Sequence, residues 1–159
     1  MFRNIYEVFG LNPFFSQNMA LFLDGIEDLC NEAYNGGVSL YVFFGVAMLA
    51  STVFIYALQY HIIDKVKVSS HRAWWAFAST AFIFNFGFAF IKMWNFLSGG
   101  LQKLGCDEEF INVIFNLPDI AMFAFVNGVL SIIVFTLLSW PPLFRRLSKN
   151  CYNTTPIPG

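Results

Sequence analysis

Charged residues are scarce in this 159-residue chain, and three long stretches contain none. Lysine, arginine, aspartate and glutamate make up 12% of the sequence, whereas a soluble domain carries about 25%. The uncharged stretches are Val38 to Tyr60, Ala73 to Ile91 and Ile120 to Leu143. Each is long enough to cross a hydrocarbon core of about 30 Å at roughly 1.5 Å per residue. The sequence therefore predicts an integral helical membrane protein rather than a soluble domain.

Sequence motifs typical of catalytic, cofactor-binding or metal-binding sites are also missing. Membrane enzymes and ion-driven transporters generally place ionisable groups inside the bilayer, and here only Lys92 comes near a span interior, close to one end. The chain has no glycine-rich phosphate loop, no HExxH and no CxxC spacing. We therefore expect no enzyme activity, no catalytic residues, no cofactor and no metal. A net charge of −1 gives no reason to expect a nucleic-acid partner.

The few charges that exist are distributed unevenly and predict an orientation. Acidic residues dominate before the first stretch and between the second and third. Basic residues dominate the other two segments: Lys65, Lys67, Arg72, Arg145, Arg146 and Lys149. Short loops rich in lysine and arginine stay cytoplasmic. We therefore predict a multi-pass protein of an inner or plasma membrane, with an extracytoplasmic N-terminus and a cytoplasmic C-terminus. No signal peptide is recognisable at the start.

Only three cysteines are present, and the orientation gives two of them a role to consider. Cys30 and Cys106 both fall on the predicted outer side, whereas Cys151 falls inside. An extracytoplasmic compartment permits disulfides, so a bridge between Cys30 and Cys106 is one interpretation. Two unpaired buried thiols are the alternative, since free cysteine packs as a small hydrophobe.

The predicted fold is all-α and divides into three parts. Residues 1–37 form an extracytoplasmic segment that contains an amphipathic helix over 16–34. Residues 38–143 form a three-helix transmembrane bundle, and residues 144–159 form a basic cytoplasmic tail. The amphipathic helix carries acids on its polar face, so we expect it to pack on the outer end of the bundle or on a partner protein. The predicted membrane spans are 38–60, 73–96 and 118–143.

Mild polar residues lie at a similar depth in the three spans. They are Ser51, Thr52, Asn85, Asn127 and Ser131. One interpretation is hydrogen bonding between helices, in which such side chains hold a membrane bundle together. The other is a polar stripe that lines a pore in an oligomer. Asn85 lies on a face of small residues between Ala81 and Ala89, which favours close helix approach.

Aromatic residues are abundant and occupy two kinds of position. The chain has 21 phenylalanines, and a dense row in the second span suits lipid contact and oligomer packing: Phe82, Phe84, Phe86, Phe88 and Phe90. The four tryptophans fall near predicted span ends, as an aromatic belt at the membrane interface requires. They are Trp74, Trp75, Trp94 and Trp140.

The middle loop and the third span carry a pattern found in one known family. The residues are Phe96-Leu97-Ser98, Gln102, Leu104, Phe110, Val113 and Leu117-Pro118, followed by an apolar span and a basic tail. Over about a third of its length, the chain thereby resembles the minor coat protein VI of filamentous bacteriophages. The acidic first 37 residues depart from that family. The resemblance implies a structural subunit that waits in the inner membrane and packs into one end of the virion.

Three classes of function follow from these observations. The leading class is a non-enzymatic structural or assembly subunit of a larger membrane-embedded complex, with the bilayer and other membrane subunits or copies of itself as partners. The second is a self-assembling pore, because three-span phage holins look similar in topology. The third is a small-solute transporter, which the absence of charge within the spans disfavours.

Overall fold

The computed structural model describes Leu23 and residues 40–63, 70–97 and 116–140, and within them all regular structure is helical. Leu23 is helical and buried. The rest of the predicted amphipathic helix lies outside the described residues, as do Cys30, Cys106 and the basic tail. The predictions that concern them stay predictions.

Three long helices account for the described residues. Helix α1 spans Leu40–Ala57 and continues directly into a π-helical turn over Leu58–Ile63, called the π turn below. Helix α2 spans His71–Asn95, and helix α3 spans Leu117–Ser139.

The N-terminal ends of α2 and α3 are fixed by side chains that satisfy free backbone groups. The Ser70 hydroxyl accepts a hydrogen bond from the backbone N–H of Ala73 at 3.2 Å, as an N-cap residue does. At α3, a carboxylate oxygen of Asp119 accepts one from the backbone N–H of Asn116 at 3.3 Å. Pro118 occupies the first turn of α3, where no backbone donor is needed.

All three helices are long and apolar enough to cross a membrane. The candidate spans are Leu40–Ile63, His71–Asn95 and Leu117–Ser139, with mean hydropathies of 2.0, 1.4 and 2.3. The shortest of them has 23 residues, which gives about 35 Å of α-helix against a hydrocarbon core of about 30 Å. The prediction of an all-α fold with three membrane-crossing helices is confirmed.

The chain divides into two compact units, with boundaries after Val46, Asn85 and Asn127. Among the described long segments, the first unit holds residues 40–46, 86–97 and 116–127, and the second holds 47–63, 70–85 and 128–140. Each unit therefore contains a part of all three helices.

Phenylalanine rings join the three helices in the first unit. Phe44 of α1 is fully buried. Its ring meets Phe123 of α3 edge-on at 5.0 Å between centroids, and Phe88 of α2 edge-on at 6.1 Å. Edge-to-face contacts at these distances are the favoured arrangement of aromatic pairs. Phe44 is therefore the centre of this core.

The second unit has an aromatic core of its own. The fully buried Phe135 of α3 lies 6.3 Å from the ring of Tyr56 on α1 and 5.6 Å from that of Trp74 on α2. The cluster around these three rings also contains Ile55, Tyr60, Ala78 and Ala81. Helices α2 and α3 approach closely in this unit, since a Cβ added at Gly128 would stand 2.8 Å from the ring of Phe82.

Candidate functional site

Three of the five polar residues singled out in the sequence meet in the second unit. Asn85 of α2 is 1% exposed, and Thr52 of α1 is fully buried. The Ser51 hydroxyl donates to Oδ1 of Asn85 at 2.8 Å. Nδ2 of Asn85 lies 3.4 Å from Oγ1 of Thr52. These residues form a neutral polar cluster that links α1 to α2 in the interior.

The amide of Asn85 uses both of its donor hydrogens and its acceptor oxygen. Besides Thr52, Nδ2 donates to the backbone carbonyl of Ala81 at 2.9 Å, one turn back in the same helix. Ala81 is itself fully buried, so its small side chain leaves room for α1 to reach the amide. Ser51 also lies 3.0 Å from the carbonyl of Met48, and its single hydroxyl proton is shared between that contact and Asn85.

The other two residues are buried on α3. Asn127 is fully buried in the first unit. Ser131 is fully buried in the second, where its hydroxyl donates to the carbonyl of Gly128 in the same helix at 2.7 Å. The structure therefore places all five residues away from the exposed surface or at its edge, and brings Ser51, Thr52 and Asn85 into direct contact.

Three further hydroxyl groups of the spans donate to backbone carbonyls of their own helices. Thr80 donates to the carbonyl of Ala76, Thr136 to that of Ile132 and Ser139 to that of Phe135, each at 2.7 or 2.8 Å. Serine and threonine often bond in this way where water is absent. Thr80 and its neighbour Ser79 are nevertheless exposed on α2.

Two further side chains with polar atoms are buried, one that the sequence did not indicate and one that it placed at the membrane interface. Gln59 lies in the π turn and is fully buried, and Trp74 of α2 is 2% exposed. The expectation of an interfacial belt fits Trp75, Trp94 and Trp140, which are all about half exposed, but not Trp74. Trp74 instead packs against Phe135 of α3 in the core of the second unit.

The described residues contain no group of three or more histidine, cysteine, aspartate or glutamate side chains that could hold a metal ion. What they do contain is a neutral hydrogen-bonded cluster between two apolar helices. Hydrogen bonds of this kind hold the helices of a membrane bundle together.

Three membrane-length helices with polar side chains turned toward one another define the class: this chain is an integral, multi-pass membrane protein. Comparisons with protein-family models, curated proteins and solved structures find no match.

Proposed function

We propose that this protein is a non-enzymatic structural or assembly subunit of a larger membrane-embedded complex. The observation that carries the proposal is the direction of Asn85. An asparagine that lines a pore has to reach water, whereas Asn85 is 1% exposed and lies beside Ser51 and Thr52 of its own chain. An amide used in this way stabilises the packing of helices.

The outward surface of the spans supports the same function. Large apolar side chains are exposed along all three helices, including Phe43, Phe54, Ile83, Phe84, Phe125 and Leu137. In the first unit, Phe90, Ile91, Trp94 and Leu117 line an apolar groove of about 270 Å³. These faces suit acyl chains and neighbouring transmembrane helices. The partners we propose are accordingly the bilayer and other membrane subunits or further copies of this chain.

The resemblance to the minor coat protein VI of filamentous bacteriophages suggests where such a subunit would work. Two of the residues that carry the resemblance, Leu117 and Pro118, are the first residues of α3. This helix is apolar and has 23 residues. A subunit of a phage virion or of an envelope assembly is the setting we propose. The chain would remain in the inner membrane until it is incorporated.

A self-assembling pore is the second candidate, and one observation favours it. Ser79 and Thr80 are exposed side by side on α2, which is also the least apolar of the three spans, at a mean hydropathy of 1.4. Several copies of the chain could assemble with these hydroxyls facing a water-filled central pore. The Thr80 hydroxyl, however, is already bonded to Ala76 and has no need of water.

Replacement of Asn85 by leucine separates the two candidates. In a structural subunit, Asn85→Leu removes the hydrogen bonds to Ser51 and Thr52 and should lower the free energy of unfolding by about 0.5–2 kcal/mol. Denaturation in mixed detergent micelles, followed by circular dichroism, measures this loss. The wild type should give no discrete ion currents in a planar bilayer. Ile83→Leu, a change at a 67% exposed position on the same helix, is the control and should alter neither property.

The pore candidate predicts a different pattern in the same assay. Wild-type protein would give discrete currents whose conductance changes with Ser79→Ala or Asn85→Leu, while the oligomer still assembles. That result would replace the structural function with a channel function. Unchanged stability of Asn85→Leu without any currents would contradict a stabilising role for the polar cluster.

We further propose that the N-terminus is extracytoplasmic and the C-terminus cytoplasmic. Arg72, at the start of α2, belongs to the basic segment that favours this orientation, together with Lys65 and Lys67. A reporter enzyme that works only in the cytosol should be active when fused after Gly159 and silent when inserted at Gly99. A silent fusion after Gly159 together with an active insertion at Gly99 would show that the orientation is the opposite one.

A further inference from the structure

Gln59 carries a primary amide that is buried in the second unit. It is the second residue of the π turn, and its side chain is 0% exposed. Neither Oε1 nor Nε2 forms a hydrogen bond within the part of the chain that the structure describes. An amide offers two donor hydrogens and one acceptor oxygen. Leaving all of them unused in an apolar interior costs free energy.

Trp74 presents a second group of this kind in the same unit. Its side chain is 2% exposed, and the indole Nε1–H has no acceptor among the described residues. Tyr60, the residue after Gln59, belongs to the same core cluster as Trp74. Gln59 is therefore adjacent in sequence to a residue of the cluster that contains Trp74.

A purely structural core gains no stability from burying the polar groups of these two side chains. Methionine fills nearly the volume of Gln59, and phenylalanine fills most of that of Trp74, without burying a polar group. Unsatisfied buried groups in native proteins call for an explanation, and a bound molecule is one of the few available. The π turn is an independent sign, since short π-helical segments within helices occur frequently at functional sites.

The surrounding side chains limit what the bound molecule can be. The other buried polar side chains described in the second unit are all neutral: Thr52, Asn85, Ser131 and Ser139. An ion placed among them would lack a counter-charge and would be strongly disfavoured. Trp74 can only donate a hydrogen bond, whereas Gln59 can both donate and accept. The complementary molecule is therefore small, neutral, and able to accept and donate hydrogen bonds.

We propose that Gln59 and Trp74 hold such a molecule between α1 and α2, either water or a small polar solute that carries a hydroxyl or amide group. This site is separate from the Asn85 cluster, whose hydrogen bonds are made within the chain. It does not depend on the chain being a structural subunit.

The test uses the indole proton of Trp74 in the full-length protein, reconstituted in lipid nanodiscs with ¹⁵N-labelled tryptophan. Trp74→Phe assigns the resonance. In the wild type, the Trp74 indole proton should show a nuclear Overhauser effect to a long-lived water or, when acetamide is added, to its methyl group. Gln59→Met should abolish this effect. Leu58→Met, at a partly exposed neighbour in the same π turn, is the matched control and should leave it intact.

The outcomes distinguish the two sources of the molecule. Retention of the water signal at high acetamide identifies water, and its replacement by the acetamide signal identifies a polar solute. An indole proton of the wild type that contacts neither would overturn the proposal, whether or not the Gln59→Met variant folds. So would a Gln59→Met protein that keeps the wild-type signal and has a higher thermal unfolding temperature, since the amide would then be merely unpaired.

Discussion

Replacing Phe44 with alanine should lower the free energy of unfolding by about 2–4 kcal/mol. Phe44 is fully buried in the first unit, and its ring contacts Phe88 of α2 and Phe123 of α3. Truncation therefore removes a side chain at which all three helices meet in the first unit. In a water-surrounded core, the same change costs roughly 3–5 kcal/mol, part of which is transfer of the side chain out of water. Lipid is as apolar as the core, so mainly the packing part of the cost remains.

Phe54→Ala provides the matched control for this measurement. Phe54 lies on the same helix but is 58% exposed, so its ring faces the surroundings of the protein. Its removal should change the free energy of unfolding by no more than about 0.5 kcal/mol. Unfolding in mixed detergent micelles, with circular dichroism as the probe, compares the two variants directly. Equal losses would show that Phe44 is not the centre of a core.

The three membrane helices could be predicted because length and hydropathy suffice to define a span. A run of about 20 apolar residues has few stable alternatives to a helix in lipid, since every backbone group must be satisfied internally. The ends were harder to read from charge alone. Helix α2 begins at His71 because Ser70 caps it, and the charged Arg72 lies within its first turn. The uncharged stretch therefore indicates how much of the chain is apolar enough for the membrane, but the helix can extend beyond it into charged residues.

The depth of the polar residues in the membrane could be predicted from the sequence, but their hydrogen-bond partners could not. Spacing along the chain places Ser51, Thr52 and Asn85 near mid-membrane. Which of them touch depends on how each helix is rotated about its axis, and the sequence constrains that only through small residues. The face of Ala81 and Asn85 gave this constraint for α2, and this is where α1 meets α2.

Gln59 was missed for a related reason. In the sequence it is one residue from the predicted end of the first span, where a polar side chain is ordinarily expected to reach the membrane surface. The helix instead continues to Ile63 through the π turn, and Gln59 is carried into the interior beside Tyr60. No residue in this segment is a known signal for a π-helical turn, so sequence reasoning had no means of finding it.

Adding a single methyl group at Gly128 should be markedly more harmful than adding one at Gly87. A Cβ at Gly128 would stand 2.8 Å from Cδ2 and Cε2 of Phe82, whereas a Cβ at Gly87 would meet nothing within 4 Å. The ring of Phe82 would have to turn or α3 would have to move away from α2, and overpacking of this kind typically costs about 1–3 kcal/mol. Gly128 thus sets how closely these helices approach.

The comparison of Gly128→Ala with Gly87→Ala isolates the steric effect. Both changes gain helix propensity by the same amount, up to roughly 1 kcal/mol, and both glycines lie within a helix. We therefore expect Gly128→Ala to be less stable than Gly87→Ala by about 1–3 kcal/mol. Phe82→Leu combined with Gly128→Ala should recover part of the difference, because the ring that obstructs the new methyl group is gone. If the two single variants are equally stable, α2 and α3 are not in close contact at Gly128.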